Sequence, residues 1–503
     1  MKISNHPSIT RLVAAIAAAL TICHAARADI PVSGRPVPEM TAFDDLMTDF
    51  MDERGIEAGL LGIMKDGEIV YLRGFGWLIA PVNITFPPID IPGVEMTENA
   101  LVRLASVTKP VTAAATHRVL ADYDEFDLDS LAFSFEDGDG GVLPVNPTGG
   151  DPADERVRDI TIRHLMHHRG GWDRSQDDVP DWTYRECHIA ADLDVDSPPG
   201  REVTLNWILG EQPLQFNLGG GPAYSNIGYL ALGLLVEHLS GQNLVTYVRQ
   251  NVLTPSMHVP WRDIRRGRTF RDDAFVREPF YRHGSGSSAF ECGSSVSNAA
   301  YGAWDHEARV GQGGMIATSA AMLTLAKHYH IGRGHFSYGA NTGKPRDEVP
   351  LGWQNQIHGG VLRGSNTILY QRTDDINVFV FFNERDYVVI PATNPGDDDT
   401  EIIYAEWMRG EVHDLINAGG FDWPETTSDG LWVRPESTDS GGTFFRGGYH
   451  YPINGIDDLL GYAGWGSKVR LAPRGGNRDF DWTGEISSRM VIDAPEGTVF
   501  IGR

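Results

Sequence analysis

Two apolar-rich runs early in the chain, Gly59 to Met64 and Glu68 to Phe75, are separated only by Lys65-Asp66-Gly67. Asp-Gly between β-prone runs predicts a hairpin, because both residues tolerate the positive φ of a tight turn. Ala105 to Leu120, rich in Ala and Val, predicts a helix with Pro110 in its first turns, where a missing N–H is tolerated. Ile160 to His168 and Asn226 to Leu239 predict two more helices, the second strongly apolar and stopped by Gly241. Thr367 to Tyr370 and Ile376 to Phe382 flank Thr373-Asp374-Asp375 and predict a second hairpin. A last helix is expected from Thr400 to about Asn417. Residues 260–310 carry Gly, Ser, Arg and aromatics without a clear period. Strands at both ends of a mainly helical middle predict one sheet assembled from distant segments.

The ends read differently. Lys2 and Arg11 precede an apolar run, Leu12 to Ile22, which closes on Ala26-Arg27-Ala28. Basic residues, a short apolar stretch and an A-x-A site predict a signal peptide over residues 1–28, cleaved after Ala28, and hence a periplasmic or secreted protein. The run is too short to span a membrane, and no later stretch reaches the ~20 apolar residues a span needs. From about Thr426 the texture changes to short β-prone runs, such as Gly442 to Phe445 and Arg489 to Ile492, among Gly, Pro and Asp clusters. The expected organisation is a leader over 1–28, one catalytic-size domain over 29–424, and a small all-β extension over 425–503.

Charge narrows the partners. The 503 residues hold 68 acidic against 42 basic side chains, a net charge of −26, and loss of the leader would deepen that excess. Such a surface repels phosphate backbones, so nucleic acid is not an expected partner. Cys187 and Cys292 are the two cysteines beyond the leader, and in an exported chain they are candidates for a disulfide. It would close a loop of roughly 100 residues, for which chain entropy alone gives about 4–5 kcal/mol. The acidic stretch from Glu136 to Asp154 reads as a solvated loop, since Glu136-Asp137-Gly138-Asp139-Gly140 lacks EF-hand spacing. His164, His167 and His168 lack acidic or cysteine partners at metal-binding spacing. No metal and no cofactor is expected.

The sharpest chemical signal is Ser106-Val107-Thr108-Lys109 at a helix start. A serine hydroxyl is a poor nucleophile without a base in hydrogen-bond reach. Residues i and i+3 share a helix face, so Lys109 can lie beside Ser106. Burial lowers a lysine pKa and frees the amine to accept a proton.

With its flanks, Val102 to Pro110 resembles the nucleophile segment of the class C β-lactamase and D-Ala-D-Ala carboxypeptidase superfamily, to which certain esterases are related. Tyr224-Ser225-Asn226 is similar to that family's Tyr-x-Asn motif, and His358-Gly359-Gly360 to its Lys-Thr-Gly or His-x-Gly motif. Two further stretches, Ile160 to Gly171 and Gly313 to Thr318, resemble family landmarks in the right order, over roughly residues 40–420. The resemblance implies an α/β (α+β) fold of β-lactamase/transpeptidase type: an antiparallel sheet flanked by helices, plus a helical subdomain.

It also implies roles. Ser106 attacks a carbonyl and forms an acyl-enzyme. Lys109 and Tyr224 share the work of general base and proton relay. Asn226 bonds Lys109 and the substrate, and His358 supports Tyr224. Gly359, Gly360 and Val361 border the substrate, the N–H of Val361 joining that of Ser106 as oxyanion hole. His168 falls where the family keeps a structural histidine. Gly359 departs from the pattern, because a hydroxyl residue usually stands there. The implied activity is hydrolysis of an ester or amide in a small-molecule or peptide substrate. A β-lactamase or penicillin-binding D-Ala-D-Ala carboxypeptidase is the alternative within enzymes, and a non-catalytic wall- or peptide-binding protein the alternative outside them. Natural substrate and oligomeric state stay open at this level.

Overall fold

The structure, a computed structural model, describes residues 30–424 except 86–87, 137, 139, 175–180, 258, 333–341, 350–352 and 391–399, and four short strands beyond them. The leader therefore lies outside the described residues, as does Gly442 to Phe445.

In chain order the elements that position the site are strand β1 (Val32–Ser33), helix α1 (Thr41–Arg54), β2 (Ala58–Lys65), β3 (Glu68–Ile79) and β4 (Val102–Arg103). Helices α2 (Thr108–Leu120), α3 (Ile162–Met166), α4 (Glu186–Leu193), α5 (Arg201–Glu211), α6 (Asn226–Ser240) and α7 (Leu244–Asn251) follow. Then come β5 (Ile264–Arg266), β6 (Met315–Ala317), α8 (Ser319–His328), β7 (Gln356–Leu362), β8 (Ser365–Gln371), β9 (Ile376–Phe382), β10 (Tyr387–Ile390), β11 (Thr400–Ile403) and α9 (Tyr404–Ala418).

The main sheet runs β1-β3-β2-β9-β8-β7, antiparallel throughout, with Val94–Glu95 added against β3. β2 from the first hairpin pairs with β9 from the second, Ile63 opposite Val378 and Leu61 opposite Val380, which closes the sheet across more than three hundred residues. Both strands are buried almost end to end, because α1 and α9 cover one face and α8 the other. At the first turn Asp66 and Gly67 hold φ of 52° and 81°, the pair of positive values that Asp-Gly adopts at low cost. Around this sheet forms one hydrophobic core. A second core packs α2, α3, α5 and α6 into a helical subdomain around Trp207, Tyr229 and Leu165. This is the antiparallel sheet flanked by helices, with a helical subdomain, that the family resemblance implies.

Three expected boundaries move. The helix predicted from Ala105 opens instead as a 3₁₀ turn, Ala105–Val107, and becomes α-helical at Thr108, because Ala105 takes a left-handed φ of 48°. The helix predicted over 160–168 shrinks to Ile162–Met166: Thr161 is extended and caps it, and His168 turns left-handed at φ 56°. Thr400–Ile403, predicted helical, is a strand paired with β10, as its β-branched residues favour, and the helix starts at Tyr404. Beyond residue 424 the described residues form a four-stranded sheet, Leu431–Arg434, Ile453–Asn454, Lys468–Leu471 and Val491–Asp493, with parallel pairing.

Candidate active site

The two cores meet at Ser106. Strand β4 carries the chain out of a three-stranded sheet, β5-β6-β4, straight into the 3₁₀ turn. Every residue from Leu101 to Pro110 is buried except Ser106, which stays half-buried. Here the left-handed Ala105 has a purpose: it bends the chain so that one hydroxyl leaves an otherwise closed core. Such backbone costs of order 1–3 kcal/mol and persists only where its surroundings hold it.

Those surroundings are specific. The Thr367 hydroxyl of β8 donates to the Leu104 carbonyl (2.7 Å), and the Ser365 hydroxyl to the Arg103 carbonyl (2.8 Å). The Leu104 N–H donates to the Met315 carbonyl of β6 (3.0 Å). Strand β7 lies directly against the turn. A Cβ placed on Gly360 would sit 2.3 Å from the Leu104 oxygen and 3.0 Å from the Ser106 nitrogen. Only glycine fits there, which answers why the third motif ends in one.

Around the Ser106 hydroxyl the geometry is tight. Tyr224 Oη lies 2.5 Å from Ser106 Oγ, and Lys109 Nζ lies 3.2 Å from it. Lys109 is fully buried and makes two shorter contacts, to Asn226 Oδ1 (2.8 Å) and to the Gln312 carbonyl (2.7 Å). Both partners only accept, so each takes an N–H. Burial first, and the nearby Arg174 charge second, hold the Lys109 pKa well below the ordinary lysine value, while Asp181 opposes them. Burial likewise pushes the Tyr224 phenol up, with Arg174 and the Ser106 hydrogen bond pulling the other way. An uncharged amine has two hydrogens and one lone pair. With both hydrogens committed, the lone pair is left for Ser106.

Each expected residue can now be located. Ser106, Lys109, Tyr224 and Asn226 converge. His358 is buried on β7 and shares with Gly360 and Leu362 the inward face that packs on the Ser106 turn. Gly359 and Val361 alternate to the other face, where the nearest atom to a Gly359 Cβ is Ile403 Cδ1 at 4.0 Å. His168 is structural here: its Nδ1 accepts the Ser225 N–H (3.0 Å), and its ring stacks on Tyr224 at 4.8 Å. His164 closes the cap of α3 through the Thr161 N–H. Among the described residues no group of three His, Cys, Asp or Glu is placed to hold a metal ion. Cys187 and Cys292 are joined in a disulfide.

Four contributors went unread in the sequence. Asp181 accepts from Asn226 Nδ2 at 2.6 Å and so fixes which way that amide faces Lys109. Arg174 stands over the Tyr224 ring at 4.5 Å. Thr367 holds the turn that carries Ser106, and the Gln312 carbonyl holds Lys109. Only Gln312 had a signal, because it immediately precedes the Gly313 to Thr318 landmark. Asp181, Arg174 and Thr367 belong to no motif.

An Escherichia coli O157:H7 protein provisionally described as a D-alanyl-D-alanine carboxypeptidase is 25% identical over 240 residues, 46% of this chain and 51% of that one. Esterase EstB of Burkholderia gladioli is 29% identical over 215 residues, 42% and 48% of the two chains. The chain thus spans about half the length of the curated relatives it matches. Among solved structures, the D-amino acid amidase from Ochrobactrum anthropi superposes with a TM-score of 0.46 at 16% identity, over 75% of this chain and 98% of that one. A family model described as Beta-lactamase matches residues 43–399, across the sheet, the helical subdomain and every residue gathered around Ser106, and the chain belongs to that family.

Proposed function

We propose that this chain is an exported serine hydrolase that cleaves an ester or amide through an acyl-enzyme on Ser106. The observation that carries the reading is the buried Lys109 amine, held 2.8 Å from Asn226 Oδ1 and 2.7 Å from the Gln312 carbonyl, with Ser106 Oγ 3.2 Å away. In the first half-reaction Ser106 Oγ bonds to the substrate carbonyl carbon while its proton passes to Lys109 Nζ. The resulting oxyanion meets the N–H groups of Ser106 and Val361. As the tetrahedral intermediate collapses, the C–O or C–N bond breaks and the leaving group takes a proton from Tyr224 Oη. The phenolate then recovers the proton held on Lys109. Water repeats the sequence on the acyl ester and frees Ser106.

Burial assigns the two basic groups different tasks. Burial raises the Tyr224 pKa, which suits a proton donor, and lowers that of Lys109, which suits an acceptor. His358 would sit beside them as support. The relatives, an esterase and a protein provisionally described as a carboxypeptidase, carry names that both denote acyl transfer to water. Export is supported by the leader-like residues 1–28 and by the Cys187–Cys292 disulfide, a bond that reducing cytosol disfavours.

An ester or amide is favoured over a β-lactam because the third motif offers no side chain at Gly359. Arg363, the cation that follows the motif along the chain, stacks on Trp304 at 5.1 Å, and Trp304 packs on Ala105. A missing charge-assisted hydrogen bond costs roughly 1.5–3 kcal/mol, about 10- to 100-fold in rate. The test compares kcat/KM for a short p-nitrophenyl ester, a D-aminoacyl anilide and a chromogenic cephalosporin, in wild type and in Ser106→Ala. The expected result is loss of all turnover in Ser106→Ala, with the ester or anilide preferred in wild type. A cephalosporin preferred by about tenfold would make the β-lactamase alternative the better reading.

A further inference from the structure

Two opposite charges flank Lys109. Asp181 is joined to Lys109 through one residue, Asn226, whose Nδ2 donates to its carboxylate at 2.6 Å while Oδ1 accepts from the lysine. A carboxylate so close would favour the ammonium form and silence the base. Its side chain is only 16% exposed, so water screens it weakly. Opposite stands Arg174. One guanidinium nitrogen lies 3.4 Å from Asp181 Oδ2, and the guanidinium carbon lies 4.5 Å from the centre of the Tyr224 ring. Lys109 Nζ is 4.7 Å from the centre of that same ring. Two basic side chains thus share one phenol, and one of them, Arg174, never loses its proton.

The remaining neighbours do not do this work. From α6, Tyr229 faces Lys109 at 5.7 Å with a neutral ring. From the turn before β6, Arg309 is committed to Glu186. Tyr184 is half-buried and held protonated beside that pair. His168 stacks on Tyr224 and spends its Nδ1 on Ser225. His358 approaches from β7.

Building on the acyl-enzyme reading, we propose that Arg174 is a positioning residue for charge: its guanidinium, over Tyr224 and paired with Asp181, keeps the Lys109 amine uncharged and proton-accepting at neutral pH. The direction of the Arg174 effect on Lys109, opposed by that of Asp181, agrees. The sign follows. A base acts above its pKa, so removing the guanidinium leaves Asp181 uncompensated and moves the rise of activity to higher pH.

The test measures the pH dependence of Ser106 labelling by an uncharged fluorophosphonate, and of kcat/KM for an uncharged ester, in wild type, Arg174→Gln and Arg174→Lys. Arg174→Gln should lose roughly tenfold at pH 7 and recover to within about twofold of wild type on the alkaline plateau. Arg174→Lys, which keeps the charge, should stay near the wild-type profile. A uniform loss at every pH in both variants would show a merely structural role and overturn the proposal. So would an effect confined to KM for a carboxylate-bearing ester, which would make Arg174 a substrate contact. If wild type is not labelled at Ser106 at all, the acyl-enzyme reading falls first and takes this inference with it.

Discussion

Lys109 illustrates how much of the chemistry depends on atoms that no motif records. Its own position was legible, because i and i+3 on a helix share a face. Its acidity was not, since that depends on full burial and on Arg174 and Asp181, which arrive from a loop and a 3₁₀ turn far along the chain. The charge state predicts a profile that rises with pH and levels at mildly alkaline values, measured as kcat/KM on an uncharged ester. A maximum at strongly acidic pH would point to carboxylate chemistry. Tyr224→Phe keeps the ring between His168 and Arg174 but removes the donor. It should lower kcat by about 10²–10⁴, the range for losing a general acid, with the fold unchanged by circular dichroism. Gly360 was legible as the end of a motif, but not the reason for it. The reason is a Cβ 2.3 Å from the Leu104 oxygen, a three-dimensional fact. Gly360→Ala should therefore destabilise by about 1–3 kcal/mol in chemical denaturation and lose most activity. An alanine variant as stable and active as wild type would mean that β7 does not press on the nucleophile turn.

Elements were read best where local pattern and tertiary demand coincide. The Asp66-Gly67 hairpin and the apolar helix ending at Gly241 satisfy both, and their boundaries match the prediction to within a residue, except that the hairpin's second strand runs on from Phe75 to Ile79. Ala105 and His168 break the helical pattern through positive φ, which composition cannot show for an alanine or a histidine. Thr400–Ile403 is a strand because β10 offers an edge, again a tertiary cause. Strand β8 shows the same dependence. Thr367 looks like an ordinary β-former in its sequence, yet its hydroxyl bridges the Leu104 and Gly360 carbonyls at 2.7 and 3.3 Å. Thr367→Val is nearly isosteric and leaves a buried carbonyl short of a donor, a loss of about 1–3 kcal/mol. Its kcat should fall while KM holds, and Thr367→Ser should recover most of the rate. Equal kcat in the valine variant would remove Thr367 from the support of the turn.

At the scale of the whole molecule, an antiparallel sheet and a helical subdomain each bury their own core, and Ser106 emerges at the seam. The fold class was legible from strands at both chain ends and from motif order. Placement of Ser106 at the seam was not, because it results from two cores packing together. The Cys187–Cys292 bond ties α4 to the loop before Trp304, close to the wall of the site but without a thiol in the chemistry. Replacing both cysteines by serine should lower thermal stability, by no more than the about 4–5 kcal/mol of loop-closure entropy, and leave kcat within a few-fold. The central claim, a covalent acyl-enzyme on Ser106, is tested most directly by intact-protein and peptide mass spectrometry after reaction with a fluorophosphonate. The account predicts one adduct per chain, on the peptide containing Ser106, abolished in Ser106→Ala and slowed in Lys109→Ala. An adduct on another serine, or undiminished labelling of Ser106→Ala, would contradict it.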